Sequence, residues 1–247
     1  MYVYIYPQTL SEGGLGRRMG VCRPVSDLSC GIVCYKESEV QMSQSESSVA
    51  ASVVSAPTTS TNKIAIYALV MKGGGVKGLA LAGAISELEH YYDFSCFVGT
   101  SAGAITAVLL SAGFTGDELV DELQKKDFMT FLDGKPYRYL YDLALNKGLH
   151  SGLPLINWIA EKIHVKLKKV CDVEVSELPK RVVLYASNVD NGPLTFDGGG
   201  GHRGEHCDNG AAHAARCSLA IPYFFRPEHV GGRRAYDGGM LHNYPLG

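Results

Sequence analysis

Two glycine-punctuated turns, each directly behind a short apolar run, constrain this chain more than any other feature of it. Lys63-Ile64-Ala65-Ile66-Tyr67-Ala68-Leu69-Val70 is a continuous apolar and β-branched run, the pattern of a strand buried on both faces. It passes into Met71-Lys72-Gly73-Gly74-Gly75-Val76-Lys77-Gly78 and a helical stretch over 76–91, where Ala80, Ala82, Gly83 and Ala84 let a helix lie close to a sheet. Phe94-Ser95-Cys96-Phe97-Val98 reads as a second strand and runs into Gly99-Thr100-Ser101-Ala102-Gly103. The helix expected over 102–112 is apolar nearly all round, a core helix ended by Gly113. Two successive strand-to-helix units predict an α/β fold, a mainly parallel central sheet flanked by helices in three layers.

The second turn matches the Gly-x-Ser-x-Gly pattern, and the reason for that spacing is steric. A serine lifted from a strand end on a sharp turn needs neighbours without bulk, so Gly99 and Gly103 free the backbone to turn and the next helix to start. The Ser101 hydroxyl then stands at a helix N-terminus, where free N–H groups favour developing negative charge. Five residues alone arise by chance in glycine-rich chains. Position behind an apolar strand is what gives them weight.

A chain of 247 residues with 46% hydrophobic content suits one α/β domain with a sizeable core. Its net charge of −2 offers no electrostatic case for nucleic acid. Seven scattered cysteines, odd in number, favour reduced thiols in a cytoplasmic setting over a disulfide framework. Residues 1–62 read as a disordered N-terminal extension: tyrosines, glycines and three cysteines without a period, then a stretch rich in Ser, Thr, Ala and Val. Within it, 49–57 resembles the end of a secretory signal but lies far from Met1 behind Glu37, Glu39 and Glu46. Cys22, Cys30 and Cys34 lack the CxxC pairing of a metal site. No apolar run reaches the length of a membrane span.

The organised domain is expected over 63–247. An acidic surface helix is predicted over 116–126, an aromatic-rich helical or loop region over 128–145, and a helix over 151–164 striped by Leu155, Ile156, Trp158, Ile159 and Ile163. With Lys162, Lys166, Lys168 and Lys169 close by, that stripe suits either an anionic membrane surface or, the preferred reading, packing on the sheet. A strand over 181–189, a helix over 209–220 ended by Ile221-Pro222, and a short strand over 234–236 leading into Asp237-Gly238-Gly239 complete the pattern.

A serine hydroxyl needs a base within hydrogen-bond reach before it attacks an ester. None of the eight histidines sits in a context that singles it out, whereas Asp237 ends a strand and precedes two glycines that permit a tight turn. Together these stretches resemble the patatin-like phospholipase family, whose glycine loop, Gly-x-Ser-x-Gly elbow and Asp-Gly-Gly turn occur in this order. The resemblance spans about residues 63–247 and includes Ala215 to Phe225. It implies Ser101 as nucleophile, Asp237 as base in a Ser-Asp dyad, and an oxyanion hole from Gly73, Gly74, Gly75, Val76, Lys77 and Gly78, with backbone N–H groups of Gly74 and Gly75 foremost. It further implies a lipid acyl hydrolase of phospholipase A type, with no metal or other cofactor, acting on phospholipid or related acyl esters at a membrane surface. Lys77 is expected to brace the loop or touch substrate, and Arg216 to pair structurally.

The chain ends eight residues after Gly239 (247 − 239), where family domains continue, so a truncated domain is expected. The glycine-rich stretch 197–208 is unusual for the family, and its His202, His206 and Cys207 suit a loop over the cleft better than a metal site. Three rival readings remain. Gly73-x-Gly75-x-x-Gly78 fits a dinucleotide fingerprint but lacks the acidic residue at the end of the next strand. A Ser-His-Asp hydrolase would use Ser101, Asp197 and one of the histidines from His202 to His242. A non-catalytic lipid-binding or interaction module is the third.

Overall fold

A computed structural model of the chain describes residues 2–7, 31–34, 63–75, 78–169, 173–188, 192–198, 210–241 and 243. In chain order its regular elements are β1 (Tyr2–Pro7), β2 (Gly31–Cys34), β3 (Ile64–Met71), α1 (Gly78–Leu88), β4 (Tyr92–Thr100), α2 (Ala102–Ser111), α3 (Gly116–Lys125) and α4 (Tyr139–Asn146). They continue as β5 (Gly148–His150), α5 (Leu153–Leu167), β6 (Arg181–Asn188), β7 (Gly192–Asp197), α6 (Ala211–Ser218), β8 (Tyr223–Phe225), β9 (Glu228–Val230) and β10 (Arg233–Asp237). The expected α/β class is the one observed, with helices packed against a central sheet.

That sheet runs β2-β1-β3-β4-β6-β10-β9, with β7 also on β6, while β5 and β8 form a separate parallel pair. The sheet is less uniformly parallel than expected: β3, β4 and β6 are joined in parallel, as are β1 and β2 at the edge, but β1 meets β3, β7 and β10 meet β6, and β9 meets β10 antiparallel. The physical reason lies in the connections: β6 to β7 and β9 to β10 are short reversals, which join antiparallel neighbours, whereas a parallel partner needs a crossover. Two short stretches within 1–62 are strands of this sheet. β1 pairs with β3 and β2 with β1, where they satisfy backbone groups at an otherwise open sheet edge.

One continuous core joins one face of the sheet to α1, α2, α3, α5 and α6, with Leu69, Phe97, Val182 and Leu184 from strands meeting Leu81, Ala107, Leu119, Ile159 and Ala215 from helices. The alternate strand positions build a small cluster of Ala68, Cys96 and Val183 with Val98 and Tyr185 against it. Leu155, Trp158, Ile159 and Ile163 of α5 are buried in the main core, so its stripe faces the protein. The lysines beside that stripe are engaged too: Lys162 pairs with Glu122 and Lys166 with Glu118, both of α3 and both at 2.6 Å.

One feature of this topology positions the site. β4 pairs with β6 from Arg181 to Tyr185, and β7 pairs with β6 from Val183 to Asn188, so these two strands lie on opposite edges of β6. β10 pairs with Ala186 and Ser187 and overlaps β7, which puts it on the edge that β4 vacates. The end of β4 and the end of β10 therefore meet along one strand: Thr100 opposite Tyr185, Asp237 opposite Ala186.

Candidate active site

Ser101 follows β4 and precedes α2 with φ 54 and ψ −124, a backbone that residues with a side chain rarely adopt. The surrounding chain holds it there. A Cβ on Gly99 would stand 2.3 Å from the Gly103 oxygen, and one on Gly103 would stand 2.3 Å from the Met71 oxygen, so turn and helix close up only with hydrogen at both places. Thr100 and Ala102 on either side of the serine are buried. The Ser101 N–H donates to the Ser218 hydroxyl at 2.9 Å, and that hydroxyl donates to the Tyr185 carbonyl at 2.6 Å. The C-terminal end of α6 thus fastens the turn to β6.

The Ser101 hydroxyl donates to Asp237 Oδ2 at 2.6 Å. Both groups are buried, with 6% and 8% of their surface exposed. The other carboxylate oxygen accepts from the Gly239 N–H at 2.7 Å, which sets the carboxylate plane, and the Asp237 N–H donates to the Ala220 carbonyl. Burial raises the Asp237 carboxyl above its ordinary range, while the hydrogen bonds from Ser101 and Gly239 pull it part of the way back. Gly238 has no room for a side chain, since a Cβ would lie 2.0 Å from the Tyr185 oxygen.

The glycine loop arrives from β3. A Cβ on Gly73 would come 2.7 Å from the Ser101 Cβ, so this loop passes directly over the serine. Gly74 and Gly75 are exposed, Gly75 at φ +58, and Gly78 opens α1. Val76 and Lys77, which the sequence reading assigned to the same loop, lie outside the described residues. The loop thus brings side-chain-free backbone next to the serine.

Among the described residues, the groups that a Ser-His-Asp arrangement would use are engaged elsewhere. Asp197, the last residue of β7, forms a double ion pair at 3.0 and 2.6 Å with Arg181, the first of β6, whereas Thr100 before Ser101 pairs with Tyr185 further along β6. His150 accepts from the Gly134 N–H, and His213 faces Glu228. His202, His206, Cys207 and His242 lie outside the described residues, as do Cys22 and Cys30. Among the described residues no group of three His, Cys, Asp or Glu side chains is placed to hold a metal ion. Cys96 and Cys217 are free, buried thiols whose pKa burial pushes up, to about 11 for Cys96, which keeps them protonated and unreactive.

Two residues at the site escaped the sequence reading. Ser218 had no assigned part, although it holds the serine turn. Asn243 brings its side-chain oxygen beside both glycine turns, 3.3 Å from where a Gly73 Cβ would be and 3.5 Å from one on Gly239. Arg216 behaves as the structural pairing expected of it. It is fully buried, donates to the Ser151 and Arg226 carbonyls at 2.9 Å each, and lies over the Phe225 ring.

The chain is thus an α/β protein with a serine raised on a strained strand-to-helix turn. Comparison with known proteins narrows that class: the family model for patatin-like phospholipase matches residues 69–247, and the chain belongs to the patatin-like phospholipase family. It is 34% identical over 191 residues to the uncharacterized protein YqhO of Bacillus subtilis (strain 168), covering 72% of this chain and 64% of that one. A probable lipid hydrolase, 463L, of Invertebrate iridescent virus 6 is 25% identical over 185 residues, with 72% and 61% covered. A cGAMP-activated phospholipase of Vibrio cholerae is 26% identical over 200 residues, with 72% and 54% covered. Among solved structures, VipD from Legionella pneumophila gives a TM-score of 0.48 at 17% identity, over 71% of this chain and 46% of that one. The chain spans under two thirds of the length of these curated relatives.

Proposed function

We propose that the chain is a serine acyl hydrolase that cleaves fatty-acyl esters of phospholipids, with Ser101 as nucleophile and Asp237 as its base. The observation that carries this reading is the buried 2.6 Å hydrogen bond from the Ser101 hydroxyl to the Asp237 carboxylate. The substrate class is taken from the family and from relatives described as a lipid hydrolase and a phospholipase.

In this reading Asp237 accepts the hydroxyl proton as Ser101 Oγ attacks the ester carbonyl. The oxyanion that forms is met by backbone N–H groups of the loop from Gly73 to Gly78, each donor contributing roughly 3 kcal/mol to lowering the barrier. Asp237 then returns the proton to the departing alcohol, leaving the acyl group on Ser101. Water, deprotonated by the same carboxylate, attacks the acyl-enzyme; the bond from the acyl carbon to Ser101 Oγ breaks, Asp237 returns the proton to Oγ, and the fatty acid leaves. A solvated carboxylate is a weak base at neutral pH. Burial strengthens Asp237 as a base, and the direct hydrogen bond removes the need for a shuttle.

The test is fatty-acid release from mixed phospholipid vesicles by wild type, Ser101→Ala and Asp237→Asn, with folding of each checked by circular dichroism. Both folded variants are expected to lose activity by on the order of 10⁴-fold. An active Asp237→Asn would move the base elsewhere, and a folded but inert wild type would favour a lipid-binding module. The mechanism uses no metal, so chelators are expected to leave the rate unchanged.

A further inference from the structure

α4 is built inside out. Its one buried residue is an aspartate, Asp142, 2% exposed, while Leu140, Tyr141, Leu143 and Leu145 face outward, Leu140 with 87% of its surface open. Tyr137, just before the helix, is 79% exposed. An ordinary surface helix turns its apolar stripe to the core and its charges to water. Here Asp142 and Asn146, one turn apart, turn inward instead. Asp142 Oδ1 accepts from Asn146 at 2.8 Å and from Arg226 at 3.0 Å, with Arg138 at 3.6 Å. A partly buried ion pair therefore anchors the helix, and its leucines are left without a partner among the described residues.

We infer that the outward face of α4 is a docking surface for an anionic phospholipid bilayer. The choice of occupant rests on the acyl-lipid reading of Ser101 and on the charges that frame the patch. Lys135, Arg138 and Lys147 are exposed at the two ends of the helix. The nearby carboxylates are already engaged, Asp142 as above and Asp133 by the Ser151 N–H and hydroxyl. Apolar residues between cations, with Tyr137 and Tyr141 at the boundary, match the composition of a helix lying in the headgroup layer. A second copy docked through the same face would bring these three cations close to their own equivalents.

The patch is tied to the candidate active site. Tyr139 of α4 and Phe224 of β8 both lie against the His150 ring, at 6.2 and 5.0 Å between centroids. β8 follows α6, whose Ser218 holds the Ser101 turn, and Ile221, Tyr223 and Phe224 on this connection are exposed. Just past Asp237, Met240 and Leu241 are half exposed as well. A bilayer on α4 would meet a surface that continues through β8 toward the segments bearing the serine and the aspartate.

The test separates docking from turnover. The full chain carrying Ser101→Ala is mixed with vesicles of phosphatidylcholine, with and without phosphatidylserine, and the bound fraction is read by flotation. Added on that background, Leu140→Ser with Leu145→Ser is expected to lower the vesicle partition coefficient at least tenfold. Lys135→Glu with Lys147→Glu is expected to abolish the preference for phosphatidylserine. With Ser101 restored, both pairs should turn over a soluble short-chain ester at the wild-type rate and fail only on vesicles. Unchanged partitioning in both pairs, or no binding by the parent chain, overturns the inference. So does a dimer in size-exclusion chromatography that the leucine variants dissolve while vesicle binding persists. Failure of the hydrolase reading looks different: a chain inert on both substrates that still binds vesicles through α4.

Discussion

Asp237 has to be buried to be a strong base and ionised to be a base at all. Burial raises its carboxyl, so the folded chain holds that proton more tightly than the unfolded chain does. A group with this sign contributes stability below its unfolded pKa, and the contribution is lost as pH rises through the folded value. At neutral pH the ionised carboxylate is then a cost to the fold. Asp237→Asn is expected to melt above wild type at about pH 8, with the difference closing as pH falls to about 4, the ordinary carboxylate range. A thermal-melt series across that window checks it, and a variant that melts lower at the alkaline end would give the hydrogen bonds from Ser101 and Gly239 the larger weight. Activity runs the other way: kcat/KM on a soluble ester should rise with pH through the elevated Asp237 pKa. Ser218→Ala makes a second prediction. It removes the acceptor of the buried Ser101 N–H, at about 1–3 kcal/mol, readable as a lower denaturation midpoint together with a lower kcat. Ser101 and Asp237 stood out in the sequence because Gly99 and Gly103 bracket the one and Gly238 and Gly239 follow the other. Ser218 did not, because it acts on Ser101 across 117 positions, a separation that leaves no local pattern.

Glycines decide what the elements around the serine can do, and they do not all do the same thing. A methyl on Gly103 meets the Met71 carbonyl at 2.3 Å, so α2 would have to lift from the end of β3. Gly103→Ala is expected to cost about 1–3 kcal/mol in urea unfolding. Gly83, inside α1, has nothing within 4 Å of a Cβ, and Gly83→Ala is expected to stabilise the helix by up to about 1 kcal/mol. If the two changes had equal effects, the close approach at Gly103 would not be what fixes the helix. At this scale the strand-to-helix units of β3, β4 and their helices were readable from apolar runs and glycines. β8 and β9, three residues each, carry no periodicity to read. α4 lies in the stretch read only as an aromatic-rich helical or loop region, and the direction its leucines face was not legible because it is set by the long-range ion pair of Asp142 with Arg226.

Across the whole molecule, the sheet depends on chain far from its centre. β1 lies against β3 over Val3 to Pro7, covering backbone groups on the side away from β4. Removing residues 1–62 would leave β3 as an open edge, which invites pairing with another chain. A chain starting at Lys63 is expected to melt lower than the full chain and to self-associate, as read by calorimetry and size exclusion. Equal melting and a monomeric elution would show that β3 does not need its neighbour.

What the sequence determined by itself is the local chemistry: a serine and an aspartate each set on a turn that only glycine neighbours allow, and a glycine loop on the strand before the elbow. Those demands are steric, act within a few residues, and are therefore written in consecutive letters. The tertiary structure decided how they meet. β4 stops at Tyr185 of β6, β10 takes over the same edge at Ala186, and the two turns come within hydrogen-bond reach although 136 positions separate Ser101 from Asp237. It also decided which apolar helix faces inward and which faces out, since burial is a property of the packed neighbours of a residue and not of the residue alone.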